Sequence, residues 1–302
     1  NYKISCFTNF FEDHIGPNDH PDMQDYFNSK MMIFDSSEYA VVNSDCNEAE
    51  NVYKSAVNSG CKVFTYGFTD KSDVYASNVE RAFVTNTAGS KFNLKSPWYE
   101  GEVEVCMQGE FNVYNALLAI SVAGILGISF DVVKDALKNT KVPGRVQPVV
   151  NKLGISCLID YAHNEASLQS VLEAMRPYVD GRIISVFGCG GDRSHERRFG
   201  MGRVAGKYSD YSVITSDNPR TEDPAFIISQ IVIGISETTG EYEIEENREK
   251  AIYKAIKLAK PGDLVLIAGK GHEDYQEING VKTHFDDFEV ASKVIAELEV
   301  AL

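Results

Sequence analysis

Residues 212–225 of this chain read SVITSDNPRTEDPA, an apolar run that ends abruptly in polar residues. Pro219 has no backbone N–H and biases Asn218 away from the helical region, so the pattern predicts a strand that ends in a fixed turn. Open α/β sheets bind ligands at the carboxyl ends of their strands, where Arg220 could hold a carboxylate through two parallel hydrogen bonds. An Asx turn with a solvated arginine is an equally good interpretation of this stretch alone.

Three further polar motifs also follow apolar runs in the second half of the chain. They are Asp160-Tyr161-Ala162-His163-Asn164, Gly188-Cys189-Gly190-Gly191-Asp192-Arg193 and Gly269-Lys270-Gly271-His272-Glu273. Four such motifs at one end of a parallel sheet would converge on one cleft, so together they predict a ligand site rather than unrelated turns. Neither glycine cluster is a nucleotide fingerprint by itself, and the 302 residues contain no GxxxxGK[S/T] phosphate-binding loop.

The order of predicted elements indicates an α/β protein of two domains. Predicted strands cover residues 41–43, 63–66, 82–84, 155–159, 182–187, 211–215 and 264–268. Predicted helices cover residues 111–126, 131–138, 165–178, 200–208 and 288–298. The clean alternation in the second half predicts a mostly parallel sheet. Pro143 and Gly144 mark the best boundary, which divides the chain into domains 1–146 and 147–302.

Composition narrows the class of protein. The net charge of −15 argues against nucleic acid or a membrane surface as the main partner, although local arginines can still bind anionic substrates. Six scattered cysteines without CxxC spacing are typical of reduced thiols in a cytoplasmic protein. No apolar run approaches the ~20 residues that span a bilayer.

The motifs, taken in order, resemble the Mur ligase family, and within it the members that add meso-diaminopimelate. The resemblance runs through Thr8-Asn9-Phe10-Phe11-Glu12-Asp13-His14, Phe27-Asn28-Ser29-Lys30, Phe111-Asn112-Val113-Tyr114-Asn115, Gly144-Arg145-Val146-Gln147 and the four motifs above. It implies a three-domain enzyme of which this chain holds the later part of the central ATPase domain and a Rossmann-like C-terminal domain. The N-terminal domain that binds the uridine nucleotide and the central phosphate-binding loop would be missing, so the fragment alone should be inactive.

The same resemblance implies a reaction and its cofactors. ATP would phosphorylate the D-glutamate carboxylate of UDP-MurNAc-L-Ala-D-Glu, and the amine of meso-diaminopimelate would displace the phosphate in peptidoglycan synthesis. Such phosphoryl transfer depends on positioning and charge neutralisation more than on protein nucleophiles. The cofactors implied are ATP and Mg²⁺, and the enzyme would be a cytoplasmic monomer.

The resemblance also assigns roles to residues. His14 and a carbamylated Lys30 would be catalytic and would hold the metal. The ATP contacts would be Asn112, Asn115, Arg145, Asp160 and His163, and the diamino acid would be bound by Arg193, Asp217, Asn218, Arg220, Gly269 and Glu273. The sequence after Arg193, Ser194-His195-Glu196-Arg197-Arg198, leaves open which later arginine reaches the substrate.

Simpler interpretations remain beside these roles. By spacing alone, His14 is an ordinary loop histidine, Lys30 a solvated helix lysine, and Asn112 and Asn115 polar residues at a helix start. At the level of the protein, the alternatives are a lysine-adding Mur ligase, a more distant folylpolyglutamate synthetase, and a non-catalytic module that binds nucleotide or amino acid.

Overall fold

The computed structural model describes residues 2–11, 15, 20–84 and 87–300, and divides into two compact units, Asn1–Lys141 and Val142–Leu302. The predicted boundary at 146/147 falls slightly later than this division. Residues 142–146 lie with the second unit because the Val146 N–H donates to a carboxylate oxygen of Asp160, 2.8 Å away. No helix within the described ranges is both long and apolar enough to cross a membrane.

The first unit is built on a mixed sheet whose strand order follows the chain. Its elements are β1 (Tyr2–Phe7), α1 (Met23–Met31), β2 (Ser37–Asn43), α2 (Ala49–Asn58), β3 (Lys62–Gly67), β4 (Val74–Val84), β5 (Thr87–Lys95), β6 (Glu100–Val105), α3 (Glu110–Ile125) and α4 (Phe130–Asn139). Strands β1 to β4 pair in parallel, whereas β4 to β6 pair antiparallel. Helix α3 buries Val113, Leu117 and Ile120, spaced at helical intervals, against the sheet.

The second unit is a mostly parallel sheet, as the sequence predicts. Its elements are β7 (Gln147–Pro148), β8 (Ser156–Asp160), α5 (Glu165–Met175), β9 (Ile183–Phe187), α6 (Glu196–Tyr208), β10 (Tyr211–Ile214), α7 (Pro224–Ser236), β11 (Tyr242–Ile244), α8 (Arg248–Leu258), β12 (Leu264–Ala268), β13 (Tyr275–Ile278), β14 (Val281–His284) and α9 (Asp287–Val300). The order in the sheet is β11-β10-β9-β12-β8-β7, and only the β7–β8 pair is antiparallel. Every residue of β9 and β12 is buried, which is typical of central parallel strands.

Several predicted element ends need correction. The helix predicted over 165–178 ends at Met175 and continues as a 3₁₀ turn, because Pro177 has no N–H to continue the α-helical hydrogen bonds. The helix predicted from residue 200 begins earlier, at Glu196. The Ser129 side chain makes no capping hydrogen bond to α4, although the sequence predicts a capping turn there.

Candidate functional site

The four polar motifs of the second unit lie at one edge of its sheet. The motifs follow β8, β9, β10 and β12, and these strands are neighbours in the order β10-β9-β12-β8. All three pairings among them are parallel, so the carboxyl ends of the strands meet at the same edge. We call this the polar edge, defined as residues 160–164, 188–193, 217–220 and 269–273. The convergence that the sequence predicts is therefore present.

Asn218 is the centre of a buried hydrogen-bonded group at the polar edge. Its Nδ2 donates to Glu273 Oε2 at 2.8 Å, while its Oδ1 accepts from Lys270 Nζ at 3.1 Å and from the Glu277 N–H at 3.0 Å. Because Oδ1 faces two donors, the amide must direct Nδ2 towards the Glu273 carboxylate. The neighbouring Asp217 is also buried, and its Oδ1 accepts the Asn218 N–H at 2.7 Å.

Lys270 is a fully buried lysine inside this group. Its Nζ lies 3.6 Å from Glu273 Oε2, and burial lowers the pKa of its ammonium group although Asp217 and Glu273 oppose that shift. The sequence motif Gly269-Lys270-Gly271 gives no hint that the lysine points inward.

A buried ion pair contacts the end of β12, the strand that leads into residues 269–273 of the polar edge. Arg248, at the start of α8, donates through Nε and Nη2 to both carboxylate oxygens of Asp287, each at 2.7 Å. Arg248 Nη2 also donates to the carbonyl oxygen of Ala268 at 3.0 Å, where β12 ends. Asp287 lies 39 residues further along the chain, so no local sequence signal could have revealed the pair.

Gly269 is required by its backbone and by its surroundings. Its φ is +119°, a value that side chains of L-residues rarely adopt. A Cβ at this position would also lie 2.6 Å from Asp217 Oδ2. Glycine here lets the chain pass close to the Asp217 carboxylate.

The two arginines predicted to bind the amino acid differ in their surroundings. Arg220 is half-buried, has a left-handed φ of +52°, and donates from Nη1 to the carbonyl oxygen of Gly191 at 2.5 Å. Its backbone is fixed by hydrogen bonds to Glu277 and Asn279 in the β13–β14 hairpin. Arg193 is exposed on the loop that follows Asp192.

The residues predicted to contact nucleotide form a second group at the same edge. Both oxygens of buried Asp160 accept backbone N–H groups, from Val146 and Ala162, each at 2.8 Å. Burial raises the pKa of Asp160, and these donors together with Arg145 oppose the rise. The Arg145 guanidinium lies over the Tyr161 ring, 4.7 Å from its centre, and His163 Nδ1 lies 2.8 Å from the Tyr161 carbonyl oxygen. The group therefore contains planar side chains, those of Arg145, Tyr161 and His163. It also contains the Asp160 carboxylate, whose oxygens can each accept a further hydrogen bond.

The predicted site residues of the first unit are less constrained. Asn112 is buried at the start of α3 and donates to the Gln108 carbonyl oxygen at 2.6 Å, and exposed Asn115 donates to Asn112 Oδ1 at 3.1 Å. Lys30 is half-buried near the end of α1, with its Nζ 4.7 Å from the centre of the Tyr26 ring. His14 lies outside the described residues. Within the part of the chain that the structure describes, no three His, Cys, Asp or Glu side chains are grouped as metal ligands.

The geometry of the second unit defines an α/β domain whose sheet has a polar edge carrying both acidic and basic side chains. Carboxylates and arginines lie at the ends of four neighbouring strands, so the edge can pair with both ammonium and carboxylate groups.

Comparisons with known proteins identify the family of this chain. Residues 1–123 match the Mur ligase middle domain, and residues 144–271 match the Mur ligase glutamate ligase domain. The chain belongs to the Mur ligase family.

Named relatives narrow the similarity further. The chain is 40% identical over 299 residues to the UDP-N-acetylmuramoyl-L-alanyl-D-glutamate--2,6-diaminopimelate ligase of Clostridioides difficile, and 42% identical over 300 residues to ligase 1 of that name from Clostridium acetobutylicum. In both cases the alignment covers 98% of this chain and 60% of the relative, so the chain spans about 60% of the length of these curated relatives.

A solved structure of a ligase of the same name is also similar to this chain. It matches with a TM-score of 0.60 and 33% identity, over 98% of this chain and 61% of that one. A folylpolyglutamate synthase from Mycobacterium tuberculosis matches with a TM-score of 0.72 but only 20% identity, and this match shows the shared fold alone.

Proposed function

We propose that this chain is the amino-acid-accepting part of an ATP-dependent amide ligase that adds meso-diaminopimelate to UDP-MurNAc-L-Ala-D-Glu during peptidoglycan synthesis. The observation that carries the proposal is the polar edge itself, which combines Asp217, Asn218 and Glu273 with Arg193 and Arg220. The similarity to ligases named for this reaction supports the choice of substrate. We propose that the ligase acts in the cytoplasm as a monomer.

Meso-diaminopimelate is an amino acid at both ends, and the polar edge offers a partner for each charge. Carboxylates bind ammonium groups, and guanidinium groups bind carboxylates through paired hydrogen bonds. In this proposal Glu273 and Asp217 bind one ammonium group, with Gly269 allowing close approach of the backbone. Arg220 and Arg193 bind the carboxylate that lysine lacks. The other amine is left to attack the activated glutamate carboxylate.

The second group of residues fits the nucleoside end of ATP. We assign Asp160 to a ribose hydroxyl, because each of its oxygens keeps a lone pair after accepting one N–H. Arg145 and His163 are the further nucleotide contacts of this unit in the proposal. Asn112 and Asn115, which lie in the first unit, are assigned to nucleotide by the family resemblance alone. When bound, ATP supplies the phosphoryl group that activates the carboxylate. The residues of this chain bind and orient the reactants.

The described residues do not by themselves fit Mg²⁺. An unmodified lysine ammonium group does not bind a cation, and Lys30 faces the ring of Tyr26. We propose that Lys30 is carbamylated in the active enzyme and that His14 is its companion ligand. Carbamylation converts the ammonium group into a carboxylate, which is a ligand type that Mg²⁺ prefers.

Two assays test the proposed function. A polypeptide that carries this chain together with a GxxxxGK[S/T] loop should convert UDP-MurNAc-L-Ala-D-Glu, ATP and meso-diaminopimelate into the amide product, detected by mass spectrometry. The 302-residue chain alone should release no substrate-dependent ADP, because it contains no loop that can bind the β- and γ-phosphates.

The outcomes separate the alternatives. If the longer polypeptide binds ligands but forms no product, a binding module is the better description. If lysine is ligated in preference to diaminopimelate, the chain belongs to a lysine-adding ligase. Substrate-dependent ADP release by the 302-residue chain would contradict the inactivity expected of it.

A further inference from the structure

Arg198, one of the later arginines left open by the sequence, does not reach the surface of the polar edge. The side chain is fully buried in α6, and its Nη1 and Nη2 donate to the two oxygens of Glu222 at 2.9 Å and 2.6 Å. Nη1 also donates to Gln230 Oε1 at 2.6 Å. This arginine therefore has no surface with which to contact a ligand, and its charge is directed at Glu222.

Glu222 in turn binds the loop that carries Arg193. Its Oε1 accepts the backbone N–H of Asp192 at 2.5 Å, and Arg198 holds the pKa of the Glu222 carboxyl below its usual range. The hydroxyl of Thr221 donates to Asp192 Oδ1 at 2.7 Å, so two consecutive side chains of one loop hold the same residue of the other.

The two loops are also joined directly. The Gly191 N–H donates to the Asn218 carbonyl oxygen at 2.9 Å, and Arg220 donates to the Gly191 carbonyl oxygen. Asp192 and Arg220 both have left-handed backbone, with φ of +57° and +52°. Non-glycine residues keep such conformations only where the surroundings hold them. Arg193 directly follows Asp192, the first of these two left-handed residues.

We propose that Glu222, oriented by Arg198, is a positioning residue that fixes the spacing between Arg193 and Arg220 and so sets the preference for a dicarboxylic diamino acid. The inference rests on the proposed function, in which these two arginines bind the carboxylate that lysine lacks.

The first test is amide hydrogen exchange on the 302-residue chain. Glu222→Gln removes the negative charge while keeping the side-chain size, so exchange at the Asp192 N–H should become about ten- to a hundred-fold faster. The matched control is Glu237→Gln, which removes a charged partner of Arg203. Arg203 lies on α6, the helix that also carries Arg198. The pair of Arg203 and Glu237 is partly exposed, with a 3.4 Å contact, and its loss should leave exchange at Asp192 unchanged. Exchange at Asp192 within about twofold of wild type in Glu222→Gln would overturn the inference.

The second test measures affinity for meso-diaminopimelate and for lysine by NMR titration of the same proteins. The ratio of the two affinities should fall about tenfold in Glu222→Gln and stay constant in Glu237→Gln. A purely structural role would weaken both ligands together, and an unchanged ratio would contradict the positioning role. If the wild-type chain binds neither ligand, the proposed function loses support, whereas the exchange rates still decide whether Glu222 holds the loop.

Discussion

The polar edge of the second unit and the candidate metal and nucleotide residues Lys30 and Asn115 of the first unit differ in how far folding alone positions them. At the polar edge, Asn218 and Asp217 are buried and each makes defined hydrogen bonds with the protein. In the first unit, Lys30 contacts only the face of an aromatic ring among the described partners, and Asn115 is exposed. The difference teaches that the polar edge is preorganised by the fold. In our proposal, Lys30 and Asn115 instead need a modification or a bound ligand before they form a site.

The largest effect is expected at Lys30, the residue that depends most on modification. In a ligase-competent polypeptide, Lys30→Ala should lower the turnover rate by about 10²–10³-fold, because the proposed carbamate and its metal are lost. A short carboxylic acid added to the assay should restore part of the activity. Lys54→Ala, which removes a lysine from the exposed surface of α2, is the matched control and should have no effect. Full activity in Lys30→Arg would exclude a carbamate, since arginine cannot form one.

At the polar edge, Arg220 should control the choice of substrate. Arg220→Ala should lower kcat/KM for meso-diaminopimelate by about ten- to a hundred-fold, because one charge-assisted paired contact is lost. The value for lysine should change little or improve. Arg203→Ala, at a partly exposed position on α6, should alter neither value. Equal losses for both amino acids would make Arg220 a structural residue only.

A small change in packing should damage the polar edge without touching its charges. In Gly191→Ala the new Cβ would lie 1.9 Å from the Pro219 carbonyl oxygen, so the two loops must separate. We expect a loss of about 1–3 kcal/mol in the free energy of unfolding, measured by urea denaturation. Gly280→Ala is the comparison, because nothing lies within 4 Å of its Cβ and the cost arises only from its φ of +75°. An equal or smaller loss in Gly191→Ala would mean that the loops are not tightly joined.

The smallest expected effect is the contribution of Lys270 to the pH dependence of the free energy of unfolding. Because burial lowers the pKa of Lys270 in the folded state, the unfolded chain binds the proton more strongly. Stability should therefore rise as the pH increases from neutrality through the folded-state pKa towards the ordinary lysine value. Lys270→Met should remove this rise, because the group that binds the extra proton in the unfolded chain is gone.

Urea unfolding at pH 7 and at about pH 10 checks this prediction. Lys257→Met, at an exposed position of α8, should keep the wild-type difference between the two pH values. A Lys270→Met protein that also keeps the wild-type difference would show that the buried lysine does not titrate in this range.

The sequence predicted the polar edge because each part of it has a local signal. An apolar run followed by Asp-Asn-Pro-Arg or by a glycine cluster indicates a strand and its turn, and parallel pairing then brings the turns together. The alternation of elements predicted the α/β class in the same way.

The supporting residues could not be predicted from the sequence. Arg198 in α6 binds Glu222 in the loop before α7, and Arg248 binds Asp287, which lies 39 residues further along the chain. Such pairs depend on tertiary packing rather than on spacing. The antiparallel part of the first sheet was also missed, since only residues 82–84 of β4 gave a strand signal.

The most direct test of the central claim is an NMR titration of the 302-residue chain with meso-diaminopimelate. We expect saturable binding whose chemical-shift changes fall on residues 192–193, 217–220 and 269–273. Affinity should be about ten- to a hundred-fold higher than for lysine. Saturable binding with shift changes elsewhere, or equal affinity for the two amino acids, would contradict the claim that the polar edge is the diaminopimelate site.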